Sequence, residues 1–248
     1  MLYTLTAMNF QKYFTLKNYR EFFKYRLTKP HKVSYSQCGE DLIIEAALAT
    51  RGIRRPTYLD IGSNYPVRDN NTFLFYTQGN HGVCVEPDPK LCLLTKKIRK
   101  NDICLNLGVA PVPSPATNFY VMKSKSLSTF RQDEADRYIK DQKYGSQSIS
   151  EIIKIPLATI NELLIKYFPT GLDLLSLDTE GYDEEIISSL NFKIYRPKVI
   201  CIETLRYNAA GHLEKQANII EKLRHQGYTL FGDTYINSIF LDTNYETI

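Results

Sequence analysis

Four carboxylates stand where short apolar runs of this chain end. They are Asp60 in Tyr58-Leu-Asp-Ile-Gly-Ser-Asn64, Glu86 in Val83-Cys-Val-Glu-Pro-Asp88, Asp178 closing Leu172-Asp-Leu-Leu-Ser-Leu-Asp178, and Glu203 closing Lys198–Glu203. In an open α/β sheet, ligands bind just beyond the carboxyl ends of the strands, where the strand order reverses. Acids gathered there must be solvated, paired or bound, because an isolated buried charge is costly. Gly62 lets the backbone pass close to a ligand with no Cβ in the way. Glu86 follows at about the twenty-residue spacing where an acid can take both hydroxyls of a ribose. The pattern is that of a nucleoside site.

The nucleoside need not be a dinucleotide. A pyrophosphate binder wants three glycines and a bare helix N-terminus, because the phosphate must touch backbone N–H groups. Here Gly62 is followed by Ser63, Asn64, Tyr65 and Pro66, with no second or third glycine. Asp60 also points negative charge toward the site, which suits a cation with an amino-acid tail. S-adenosylmethionine carries a sulfonium, an ammonium and an adenosine, and so fits better than a diphosphate. A plainer account has Asp60 capping the next segment and Glu86 as a solvated strand end. Two rival functions follow: a nicotinamide-dependent oxidoreductase, disfavoured by the missing glycines, and a non-catalytic nucleoside-binding module of the same fold.

The elements that must hold these acids alternate. Strands are expected at Tyr58–Ile61, His81–Glu86, Ile103–Ala110, Ile152–Pro156, Leu172–Asp178, Lys198–Glu203, Tyr228–Phe231 and Ile236–Leu241. Helices are expected over Asn70–Tyr76, Pro89–Lys100, Thr159–Tyr167, Asp183–Leu190 and His212–Gln226, after a buried helix beginning near Leu42. Alternation implies an α/β fold with a mostly parallel, doubly wound sheet, and the last strand pair an antiparallel edge. The prolines at 111, 113 and 115 open an insertion over about 111–150. Its polar part, Lys123–Ser150, reads as loop with a short strand at Phe119–Met122.

YLDIGSN, NNTFLFYTQGNHGVCVEPDP, NLGVA, and LLSLDTEGYDEEII followed by VICIET together resemble the FkbM family of S-adenosylmethionine-dependent methyltransferases. The resemblance runs from about Ser34 to Glu203, and LDTEGYD is its most specific part. It implies the Rossmann-like class I methyltransferase fold and, for many members, O-methylation in glycan or secondary-metabolite synthesis. It implies that Asp60, Gly62 and Asn64 face the methionine end of the cofactor and Glu86 the ribose. Ser63 and Pro87 stand beside them as further cofactor-binding residues, and Asp178 lies near the methyl group. Tyr65-Pro66 departs from the small residue other members carry there. The expected acceptor is a small molecule or glycan bearing a hydroxyl.

A sugar hydroxyl is a poor nucleophile, so a general base should add about 10²–10⁴-fold. Asp178 or Glu180 is the candidate, with Glu203 as alternate and His212 within reach of the same loop. Glu184 and Glu185 are better explained by the positive end of the following helix. Strand-end carboxylates also offer hard oxygen ligands for Mg²⁺, but cofactor binding accounts for them without metal. No Cys or His spacing gives a zinc site.

The chain of 248 residues is long enough for one domain with a full core, at 34–248, preceded by an extension over 1–33. That extension holds Lys12, Lys17, Arg20, Lys24, Arg26, Lys29 and Lys32 against Glu21 alone, while the rest is nearly balanced. The main domain is therefore no obvious nucleic-acid binder. Asn9–Leu27 reads as a basic, aromatic-rich amphipathic helix and Thr28–Ser34 as a linker; the helix lies across its own domain, or residues 9–32 make peripheral contact with a membrane surface. Five cysteines (Cys38, Cys84, Cys92, Cys104, Cys201) without CxxC spacing suit a reduced protein. With no signal-peptide pattern and no apolar run of membrane-spanning length, the expected location is the cytoplasm.

Overall fold

The computed structural model describes residues 32–207 and 213–244, together with Arg20 and Lys24. Most of the basic N-terminal helix expected over residues 9–27 lies outside the described residues, as does His212. Residues Ser34–Ile248 form one compact unit. Its strands are β1 (Tyr58–Ile61), β2 (Gly82–Val85), β3 (Ile103–Leu105), β4 (Gly108–Val109), β5 (Ser114–Met122), β6 (Ile149–Ala158), β7 (Leu174–Leu177), β8 (Val199–Glu203), β9 (Leu205–Tyr207), β10 (Leu213–Lys215), β11 (Tyr228–Asp233) and β12 (Asn237–Asp242). Its helices are α1 (Glu40–Thr50), α2 (Phe73–Thr77), α3 (Pro89–Ile98), α4 (Gln132–Lys140), α5 (Ile160–Tyr167), α6 (Asp183–Ser189) and α7 (Ala217–His225).

Seven strands form the main sheet in the order β3-β2-β1-β7-β8-β12-β11. All pairings from β3 to β8 are parallel, and β12 is antiparallel to both of its neighbours. The reversed strand thus sits one place in from the edge, with β11 outside it. The order turns back between β1 and β7, so the ends of β1, β2, β7 and β8 border one crevice. This is the Rossmann-like class I methyltransferase fold. The reversed β12 distinguishes it from the six-stranded all-parallel dinucleotide-binding order.

β1, β7 and β8 are buried on both faces, as parallel strands flanked by helices must be. Leu59, Ile61, Leu175, Leu177, Ile200 and Ile202 pack against α5, α6 and α7 on one face. Tyr58, Leu174, Val199 and Cys201 pack against Ile44, Ala47 and Leu48 of α1 on the other. α5 begins at a capping box, with Thr159 accepting from the Glu162 N–H and Glu162 accepting from the Thr159 N–H.

Several expectations change. The helix expected from Asn70 begins only at Phe73, because Asn70 Oδ1 accepts the Thr72 and Phe73 N–H groups at 3.0 and 2.8 Å and holds residues 70–72 in a turn ahead of it. The third strand is two pieces, since the Asn106 side chain turns aside to donate to the Glu86 and Pro87 carbonyls at 3.0 and 2.7 Å. β4 leaves the main sheet and joins β6 and β5 in a separate three-stranded sheet. The stretch expected as loop over 123–150 carries α4 and the start of β6, the strand on which β5 pairs. α4 escapes a hydrophobic-period reading because Glu134, Ala135 and Tyr138 form its buried side. The helix expected from His212 begins at Ala217, after the short strand β10.

Candidate functional site

β1 ends in a turn forced by proximity. Gly62 has φ +79°, and a Cβ there would lie 1.7 Å from the Asp178 carbonyl oxygen. The Gly62 and Ser63 N–H groups both donate to the Val85 carbonyl, drawing the turn against the end of β2. Asn64, also left-handed at φ 49°, donates its N–H to Glu86 Oε2 at 2.8 Å. Glu86 Oε1 accepts the Asp88 N–H at 2.7 Å. Each Glu86 oxygen therefore accepts one backbone donor and keeps capacity for another. Burial pushes the Glu86 carboxyl up to about 7, against the pull of the Asp88 and Asn64 N–H groups.

Asn70 holds this turn from behind. Its Nδ2 donates to the Ser63 carbonyl at 2.9 Å and the Tyr65 carbonyl at 3.3 Å. Its Oδ1 accepts from Arg99 Nη1 at 3.1 Å. Arg99 is 0% exposed, and it also reaches the Asp102 carboxylate, the Tyr58 hydroxyl and the Thr72 hydroxyl. Asp60 belongs to this network: it accepts from Thr72 Oγ1 at 2.7 Å and lies outside the linings of both cavities described next. Burial raises its pKa, and Arg99 opposes that shift. Asp60 thus lies in the network beneath the turn that Asn70 holds.

Two cavities, of about 160 and about 350 Å³, meet at Gln37, Asp178 and Glu180. The smaller is bordered by Gly62, Asn64, Glu86, Pro87, Gly108 and Phe130. The larger is bordered by Glu134, Arg137, Tyr138, Tyr144, Glu203 and Arg206. Together they fall within the size range of small-molecule sites. Of the residues singled out in the sequence, Gly62, Asn64, Glu86, Pro87, Asp178, Glu180 and Glu203 line this pair of cavities. Ser63 lines neither, and its buried Oγ has no partner among the described residues. Asn64 Oδ1 is likewise buried and without a partner among them.

Asp178, Glu180 and Glu203 oppose one another's ionisation. Burial, then the charge of Glu180, raises Asp178 well above the ordinary range. Burial, then the charge of Asp178, does the same to Glu203. Burial brings Glu180 to about 7, opposed by the hydrogen bond from Tyr138. Asp183 is pushed to about 6 by burial although it caps its own loop, accepting the Thr179 N–H at 2.9 Å. Among the described residues, no three His, Cys, Asp or Glu side chains come together in a group that could hold a metal ion.

The insertion, its polar part expected as loop, lines both cavities. Lys125 pairs with Asp88 at 3.0 Å, and Phe130 packs where a side chain at Gly108 would stand. Thr129 donates to the Glu180 carbonyl at 2.8 Å. From α4, Glu134 pairs with Arg137 and, at 2.9 Å, with Arg206 of β9. The pairings of Tyr138 with Glu180 and of Arg206 with Glu134 carried no local signal in the sequence, because those partners are dozens of residues away.

The methyltransferase FkbM domain matches residues 60–230, and the chain belongs to this family. The chain also resembles solved structures: the TehB-like SAM-dependent methyltransferase of Corynebacterium glutamicum (13% identity over 92% of this chain and 97% of that one, TM-score 0.40); the magnesium protoporphyrin IX methyltransferase of Synechocystis, solved with bound SAM (10%, 94% and 94%, 0.41); and an O-methyltransferase of Bacillus cereus in complex with SAH (10%, 90% and 88%, 0.38). No curated protein matches it.

Proposed function

We propose that the chain is an S-adenosylmethionine-dependent O-methyltransferase acting on a hydroxyl of a sugar, glycan or secondary metabolite. The observation that carries this reading is the junction of the two cavities at Asp178 and Glu180. A donor in the smaller cavity and an acceptor in the larger would meet there.

The residues present fit the cofactor. The unpartnered Asn64 Oδ1 is an acceptor suited to an ammonium, and Glu86 keeps lone pairs for the two ribose hydroxyls. When bound, S-adenosylmethionine supplies a methyl carbon already activated by its sulfonium. A sulfonium bound beside Asp178 would draw it toward the ionised form that burial and Glu180 otherwise disfavour, whereas a diphosphate would push it further from that form.

The chain then has to align the acceptor oxygen with the methyl carbon and sulfur and to accept one proton. Alignment alone supplies about 7–11 kcal/mol in well-oriented systems. Glu180 Oε1 or Oε2 would take the hydroxyl proton as the O–C bond forms and the methyl carbon–sulfur bond breaks, with S-adenosylhomocysteine as the leaving group. A carboxylate near 7 is a far better base than one in its ordinary range, because its proton affinity lies close to the working pH. Glu203 stands on the far wall as the second acid. Peripheral contact with a membrane through residues 9–32 remains part of the proposal, on the charge of that segment alone.

Transfer of tritium from methyl-labelled S-adenosylmethionine to a panel of mono- and oligosaccharides tests the reading. Label on a sugar with the native chain, absent with Glu180→Gln, is the expected result. Transfer to a nitrogen or carbon centre instead, or full activity in Glu180→Gln, overturns the assignment.

A further inference from the structure

Glu180 owes its conformation to the insertion. Its backbone is left-handed at φ 53° and is followed by Gly181 at φ 127°. A non-glycine residue holds such a conformation only where its surroundings over-determine it. Here the restraint comes from residues far off in sequence: the Thr129 hydroxyl on the Glu180 carbonyl, and the Tyr138 hydroxyl on Glu180 Oε2. α4 is in turn fastened to β9 through Glu134 and Arg206.

We propose that Tyr138 is a positioning residue for Glu180: its hydroxyl aims the carboxylate into the larger cavity and favours the proton-accepting form, so that the insertion builds the base as well as the wall around it. The inference rests on the reading of Glu180 as the base. The phenol is suited to the role because burial, and then the charge of Glu180, push its pKa far up. It therefore stays protonated and keeps the proton that it donates to Glu180. A donor to the ionised form lowers a carboxyl pKa, whereas burial and like charges raise it.

The groups facing Glu180 come from four elements. α4 brings Tyr138, Glu134 and Arg137, the end of β7 brings Asp178, α6 brings Asp183, and β8 brings Glu203. Of these, Tyr138 and Arg137 favour the ionised carboxylate. Tyr138 is hydrogen-bonded to Glu180 itself, and Arg137 is bonded to Glu134 and to the Tyr144 hydroxyl.

The test is a carbon-13 NMR titration of the full chain with labelled glutamate side chains, in which the Glu180 carboxyl signal is the one lost in Glu180→Gln. The native midpoint is expected near 7. Tyr138→Phe keeps the ring and removes the donor, so the midpoint should rise by about one unit. Placing 3-fluorotyrosine at position 138 makes a stronger donor of nearly the same shape and should lower it, even where the Phe variant fails to fold. An unchanged midpoint in either folded protein overturns the proposal. The titration needs neither cofactor nor acceptor, so its outcome stays separate from a failure of the methyltransferase reading, which cofactor binding decides.

Discussion

The backbone N–H of Asn64 donates to Glu86 at 2.8 Å, tying the turn after β1 to the acid after β2. One side chain thus both shapes the cofactor turn and faces the cleft. In pyrophosphate binders glycines let that turn approach the ligand. Here Asn70 and Arg99 hold it from beneath, which explains how Tyr65-Pro66 can follow Gly62 without collapsing the site.

Ligand binding should follow the ionisation of Glu86. On the proposed reading the ribose hydroxyls would donate to its carboxylate, which burial lets form as pH rises through about 7. The affinity for S-adenosylhomocysteine should therefore climb between about pH 6 and pH 8 and level off above. Glu86→Gln should weaken binding by about tenfold, the loss of one charged hydrogen bond, and flatten the dependence. Calorimetry across that range reads both.

Stability should move the other way. Glu86, Glu180 and Asp183 hold their protons in the folded chain up to about 7, 7 and 6, against ordinary values of 4.5, 4.5 and 3.8. Folding therefore takes up protons between roughly pH 4 and pH 7, and stability falls as pH rises across that window. Scanning calorimetry should show the ligand-free Tm declining there. Glu203→Gln, which removes a carboxyl that burial and Asp178 keep from ionising, should raise Tm at about pH 8. A Tm that climbs through the window contradicts the burial of these acids.

Arg99 should be worth more to stability than any residue lining the cleft. It is fully buried and pairs with Asp102 at 2.7 Å. Arg99→Met leaves Asp102 and Asp60 without their counter-charge and should cost about 3–5 kcal/mol in urea unfolding. Asn70→Ala should cost about 1–3 kcal/mol and also weaken S-adenosylhomocysteine binding, because it frees the Ser63 and Tyr65 carbonyls. A loss of stability with no loss of affinity would detach Asn70 from the site.

Gly62→Ala combines a left-handed backbone with a Cβ placed 1.7 Å from the Asp178 oxygen. The β1 and β7 ends must separate to admit it, at a cost of at least about 2 kcal/mol. Thermal unfolding checks this. Gly79→Ala is the control, since a Cβ there meets nothing within 4 Å and only the backbone strain at φ +85° remains.

The sheet and most of its strand ends were legible because buried parallel strands write themselves as short apolar runs, and Glu86, Asp178 and Glu203 stand at or just past the ends of three of them. Asp60 lies one residue inside β1 and bonds to Thr72. A strand's side chains alternate between faces, and sequence alone did not say that Arg99 waits on that side. The insertion was least legible. α4 buries Glu134 and Tyr138, whose partners Arg206 and Glu180 come from far along the chain, and local periodicity cannot register pairs of that kind. The later start of α2 was hidden similarly, in the turn that the Asn70 side chain holds.

Calorimetric titration of the purified chain with S-adenosylhomocysteine, beside Glu86→Ala and with NAD as the competing nucleotide, tests the central claim most directly. Saturable one-to-one binding of S-adenosylhomocysteine, lost in the variant and absent for NAD, is the predicted result. A folded native chain that takes up no S-adenosylhomocysteine, or binds it unchanged without Glu86, would contradict the cofactor cleft described above.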